Sequence, residues 1–142
     1  MSPTSNPIRV VLAEPQTLFR QSLKRRLGEE PNMQIVGEAA GCLELLCLLD
    51  ELAVGQLSPH LIILDFPAPR HWGEQIIHDI KTAYPDIKIL IMGIEQSEEY
   101  LNFAISAGAH GYLLKQDARL ELLQAIEKIR QGERFVSARL NP

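Results

Sequence analysis

His60-Leu61-Ile62-Ile63-Leu64-Asp65 sets the frame of this chain: four consecutive large aliphatic residues that end on a carboxylate. A run that is apolar at every position, not at alternate ones, suits a strand buried on both faces. That environment is the centre of a parallel sheet covered by helices. Segments of similar kind stand on either side. Ile8-Arg9-Val10-Val11-Leu12 predicts a first strand, ending at Glu14-Pro15, where proline stops a central strand but suits a helix start. Met33 to Val36 predicts a second strand, Ile87 to Met92 a fourth and Gly111 to Leu114 a fifth.

Helical spacing fills the intervals. Phe19, Leu23 and Leu27 lie on one face of a first helix closed by Gly28, and a second spans Gly41 to Ala53. A third runs from about Gly73 to Tyr84, where Pro85 stops it. Ser97 can cap the fourth, and Asp117 the fifth, which ends near Arg130 with Gly132 just beyond. Five strands alternating with five helices across short loops mean βαβ units and one parallel sheet, a doubly wound α/β fold.

A chain of 142 residues fits one domain, and its formal charge of −4 lacks the basic excess of a nucleic-acid-binding surface. Lys24-Arg25-Arg26 reads as the last turn of the first helix, favourable to the helix dipole. No apolar run approaches the ~20 residues of a membrane span. Met1-Ser2-Pro3-Thr4 carries no signal-peptide pattern, so a cytoplasmic protein is expected. Cys42 and Cys47 match no zinc motif or disulfide framework, and His60, His71, His78 and His110 have no metal-ligand spacing.

In an open parallel sheet, ligands bind at the carboxyl ends of the strands. Strand one ends in Glu14, strand three in Asp65, strand four in Gly93 and strand five in Lys115. A strand-end charge alone is often only solvated. Two carboxylates and an ammonium on one edge favour a hard cation with oxygen ligands and a phosphoryl group paired to lysine.

Ala107-Gly108-Ala109-His110-Gly111-Tyr112-Leu113-Leu114-Lys115 resembles the end of a bacterial response-regulator receiver domain, especially of the LuxR type. Val11-Leu12-Ala13-Glu14 with Leu18-Phe19-Arg20, Leu64-Asp65 with Pro69 and Gly73, and Glu98-Glu99-Tyr100 extend the match over about residues 8–132. The resemblance implies a flavodoxin-like fold, with five parallel strands flanked by five helices. It also implies a two-component phosphorylation switch. Asp65 is then the acceptor of a phosphoryl group from a sensor histidine kinase, and Lys115 pairs with the phosphoryl oxygens. Mg2+ would be held by acidic residues after strand one, by Asp65 and by the backbone carbonyl of Pro67. Any chemistry is limited to self-phosphorylation and self-dephosphorylation, and the signal reaches transcription through an output domain absent from this chain.

Two departures bear on that switch. The acidic pair after strand one reads Glu14-Pro15, so the direct metal ligand is lost and Glu14 matches only the outer member. Mg2+ binding is therefore expected to be weak or absent. Gly93 stands where the family carries Thr or Ser, the hydroxyl that pulls an aromatic residue of strand five inward; Tyr112 is that aromatic. Restoring the ligand by Pro15→Asp, alone and with Gly93→Thr, is expected to rescue phosphorylation.

Tyr100, Phe103 and Ala107 form a second apolar line on helix four, offset from Leu101, Ala104 and Ile105. With Tyr112 they suggest a partner surface or a homodimer through helix four, strand five and helix five, as is common in the family. On helix two, Leu45, Leu46, Leu49 and Leu52 should face the core, while Leu43, Cys47 and Leu48 fall outside that sector. Trp72 follows Asp65 in a loop beside the site. Residues 1–7 read as a flexible leader and 133–142 as the start of a linker or tail. Two competing readings are a phosphorylation-independent pseudo-receiver serving as an interaction module, and a small metal-dependent hydrolase, which lacks a second base near Asp65.

Overall fold

Six strands, β1 (Ile8–Ala13), β2 (Met33–Ala39), β3 (Leu61–Asp65), β4 (Lys88–Gly93), β5 (Gly111–Leu114) and β6 (Phe135–Val136), form one sheet ordered β2-β1-β3-β4-β5-β6. They alternate with α1 (Thr17–Gly28), α2 (Cys42–Val54), α3 (Arg70–Ala83), α4 (Glu98–Ala107) and α5 (Ala118–Arg130). The computed structural model describes residues 6–65, 70–93 and 97–140, with 70–72 as backbone only. The α/β class, the parallel pairing and the five helices are those the sequence predicts.

The sixth strand corrects the expected five. Two residues are too few to show a period, and what makes Phe135–Val136 a strand is its pairing with β5: Phe135 N–H donates to the His110 carbonyl at 3.2 Å, and Ser137 N–H to that of Tyr112 at 3.0 Å.

Residues 1–63 and 64–142 are two compact units. In the first, Val10, Val11 and Leu12 are fully buried, and α1 and α2 both pack against β2. The β1–β2 register slips once, from Val10 opposite Ile35 to Val11 opposite Gly37, which leaves Val36 as a bulge. On α2, Leu45 and Leu49 are buried, whereas Leu46 and Leu52 are only half-buried. Leu48 has a partner: a Cβ on Gly37 would stand 2.8 Å from its Cδ2, so the glycine is what lets this leucine lie on β2. Leu43 and Cys47 remain exposed.

The second unit buries Ile89, Leu90 and Ile91 of β4 and Leu113 and Leu114 of β5, with α4 and α5 against β5 and α3 against α4. Each such fully buried aliphatic contributes about 1.5–3 kcal/mol. Helix α3 begins at Arg70, ahead of the expected Gly73. Ser97 caps α4 as expected, its hydroxyl oxygen accepting the Tyr100 N–H at 3.4 Å. That helix closes at Gly108 with φ 114°, a left-handed turn only glycine adopts easily.

Asp117 does not cap α5. A single 3-10 turn at Lys115–Asp117 leaves it at φ −99°, ψ −2°, not the extended backbone a cap needs. Its carboxylate instead accepts from Arg139 Nε at 2.8 Å. Among the described residues no helix is long and apolar enough to cross a membrane.

Candidate functional site

Asp65 is the last residue of β3 and Lys115 the first after β5, with β4 lying between those strands. The Lys115 ammonium meets Asp65 Oδ1 at 2.9 Å, and the two side chains are 11% and 21% exposed. The pair is thus shielded enough for its charges to matter, and the carboxylate stays reachable from solvent. β4 ends between them in Gly93, which puts no side chain in the gap. The structure therefore brings together three of the residues singled out in the sequence.

Tyr112 joins them. It faces Ile91 across the β4–β5 ladder, and its ring leans along the strands toward Gly93. A Cβ on residue 93 would lie 2.2 Å from the phenol oxygen and 2.8 Å from Cζ. The ring is 1% exposed, fully inward with glycine at 93. A side chain at residue 93 therefore requires the phenol to move.

Glu14 is built differently. It is 2% exposed, and its Oε2 accepts the Gln16 N–H at 2.8 Å, which secures the backbone at the start of α1. Its own carbonyl takes a hydrogen bond from an Arg20 guanidinium nitrogen, and Arg20 Nε also meets Glu38 at 3.1 Å. Mg2+ demands near-octahedral oxygen coordination. In the first unit one Glu14 oxygen holds a backbone N–H and residue 15 is a pyrrolidine ring; in the second, Asp65 Oδ1 holds an ammonium. Among the described residues no group of three or more His, Cys, Asp or Glu is placed to hold a metal. Pro67 and the Trp72 side chain lie outside the described residues.

Sequence reasoning missed what steadies Lys115. Ser137, fully buried, accepts the Leu114 N–H on its hydroxyl oxygen at 2.8 Å, and Arg139 holds Asp117. The backbone is thus fixed on both sides of the lysine by a segment that reads in the sequence as the start of a linker or tail. The only signal was Phe135-Val136, an apolar pair in that segment. On α4, Ala104 is fully buried while Tyr100, Phe103 and Ala107, like Leu101 and Ile105, are half-buried. The described residues with the most exposed large apolar side chains are elsewhere: Leu18, Leu43, Val54 and Leu120.

The model of the response regulator receiver domain family matches residues 10–127. Among curated proteins, the chain is 36% identical over 126 residues to the uncharacterized transcriptional regulatory protein YxjL of Bacillus subtilis (strain 168), covering 89% of this chain and 56% of that one. It is 29% identical over 131 residues to the transcriptional regulatory protein DegU of Brevibacillus brevis, covering 92% and 53%. The chain therefore spans about half the length of these relatives. Among solved structures, a LuxR-family two-component response regulator from Aurantimonas sp. SI85-9A1 superposes with a TM-score of 0.84 at 28% identity, covering 96% of this chain and 94% of that one.

Proposed function

The chain belongs to the response regulator receiver domain family, and we propose that residues 8–132 are a phospho-accepting receiver in which Asp65 takes a phosphoryl group from a sensor histidine kinase. Receiver domains are in general signalling modules rather than enzymes, and they interact with histidine kinases. The observation that carries the reading is the Asp65–Lys115 pair, held at 2.9 Å across a glycine at the carboxyl ends of β3 and β5. An Asp65 oxygen attacks phosphorus, the bond from phosphorus to the donor breaks, and the donor leaves with the electron pair. Lys115 shifts from carboxylate to phosphoryl oxygens and neutralises the charge added there. Hydrolysis returns phosphate and the free carboxylate.

Receiver domains in general bind Mg2+ at this site. Here the proline that follows Glu14 argues for weak binding, and Lys115 carries more of the neutralisation. Two relatives are named transcriptional regulatory proteins, which supports control of transcription through an output domain outside these residues. Residues 133–142 then lead toward it. Tyr100, Phe103 and Ala107 remain the surface for a homodimer or other partner through α4, β5 and α5, and this chain makes no DNA contact of its own.

The test is intact mass after incubation with acetyl phosphate and Mg2+. One phosphoryl adduct in the native chain and none in Asp65→Asn is the expected result. No adduct on the folded native chain, or an equal adduct on Asp65→Asn, overturns the proposal.

A further inference from the structure

Gly93 reads in the sequence as a lost hydroxyl, but the structure puts another hydroxyl in its place. Tyr112 and Gly93 lie on one face of the β4–β5 ladder, because Ile91 is the partner of Tyr112 and stands two residues before Gly93. The phenol spans that interval, and its oxygen comes within 2.2 Å of where a residue-93 Cβ would stand. Neighbouring strands are about 4.8 Å apart, so β4 ends one strand from Asp65 on one side and one strand from Lys115 on the other. The phenol oxygen is delivered to that same end of β4, whose two neighbouring strands carry the members of the ion pair.

We infer that Tyr112 supplies the hydroxyl of this site: its O–H donates to an anionic oxygen of a phosphoryl group carried by Asp65, and Gly93 is the vacancy that lets it do so. This rests on Asp65 being the acceptor. A phenol is protonated at neutral pH and donates one hydrogen bond. It keeps its proton throughout. The carboxylate forms the new bond to phosphorus, acetate departs from acetyl phosphate with the electron pair, and the phenol only stabilises the oxygens that gain charge. Glycine is then a requirement of the arrangement, since even a methyl group at 93 displaces the donor.

Three variants test this by the time course of the acetyl phosphate adduct, with thermal melting to confirm folding. Tyr112→Phe removes the hydroxyl and keeps the ring; adduct formation should slow by about 10- to 100-fold, the scale for a lost donor to a charged group. Gly93→Ala expels the phenol and offers nothing, so it should slow the reaction similarly. Gly93→Ser expels the phenol equally but brings its own hydroxyl, and should recover at least about tenfold over Gly93→Ala. A Tyr112→Phe chain that reacts at the native rate overturns the inference, as does equal loss in Gly93→Ala and Gly93→Ser. Failure of the acceptor reading is separate: then the native chain itself forms no adduct at Asp65, and both proposals fall together.

Discussion

At the end of β5, Lys115 is held from both sides. Ser137 accepts the N–H of the residue before it, Arg139 ties Asp117 just after it, and its ammonium meets Asp65 at 2.9 Å. At the end of β1, Glu14 is more deeply buried, yet its carboxylate turns to the Gln16 backbone, with proline between. Both ends carry a charged side chain at the carboxyl edge of a parallel strand. One is paired with a partly exposed carboxylate and steadied by Ser137 and Arg139; the other secures the start of a helix. Position at a strand end is thus not enough to make a functional group, and what the side chain already holds decides the matter.

The largest effect expected from this contrast is on phosphorylation. Lys115→Met should slow adduct formation at Asp65 by about 100- to 1000-fold, the scale for removing a preorganised charge-stabilising donor. Glu14→Gln should cost far less, because an amide oxygen can still accept the Gln16 N–H. Parallel time courses by intact mass check both, and an equal loss in the two variants breaks the contrast.

Pro15→Asp sharpens the same contrast by giving the β1 end a carboxylate. Outer partners of metal ligands change affinity by about 10- to 100-fold, and a direct ligand should gain at least as much. Mg2+ titration, followed by intrinsic fluorescence, measures the gain. Unchanged affinity would mean that residue 15 is not where the metal site fell short.

Ser137→Ala probes the support of Lys115. It leaves the buried Leu114 N–H unpaired, a cost of about 1–3 kcal/mol, read as a lower urea midpoint at constant slope. Adduct formation should slow as well, because the residue before Lys115 loses its anchor. A full loss of stability with an unchanged rate would reduce Ser137 to holding the β5–β6 edge.

What the sequence made legible follows from the same physics. The five main strands and their helices were written in runs long enough to show a period, and Asp65 and Lys115 stood at the ends of such runs. Strand β6 was not legible, because two residues carry no period and pair only once the chain returns to β5. Asp117 has the right residue type for a cap, but a 3-10 turn that no residue type announces redirects its carboxylate to Arg139. Leu48 fell outside the core-facing sector of its helix, and the place that Gly37 opens for it on β2 is not written in that helix's spacing. The absence of a side chain at Gly93 was plain in the sequence, but the approach of the Tyr112 phenol to that place was not, being a matter of side-chain direction two residues along the neighbouring strand.

The amino end of β5 supplies the smallest effect and the cleanest pH signature. His110 Nδ1 accepts the Ile89 N–H at 3.0 Å, so the ring must be neutral at that nitrogen. Burial first, then Lys81, Lys88 and Arg134, lower its pKa from 6.5 to about 4. The unfolded chain therefore takes up this proton at a higher pH than the folded one. The stability of the folded chain is complete above about pH 6.5 and is lost progressively as pH falls toward 4. The ring is half exposed, so the loss between pH 7 and 5 is about 1 kcal/mol after solvent screening. His110→Asn keeps an acceptor oxygen in that place and cannot titrate. The native-minus-variant difference in urea stability should fall across that window and stay flat above it. A parallel pH dependence in the two chains would mean that acid acts elsewhere and that this end of β5 is as insensitive to protons as its aliphatic neighbours.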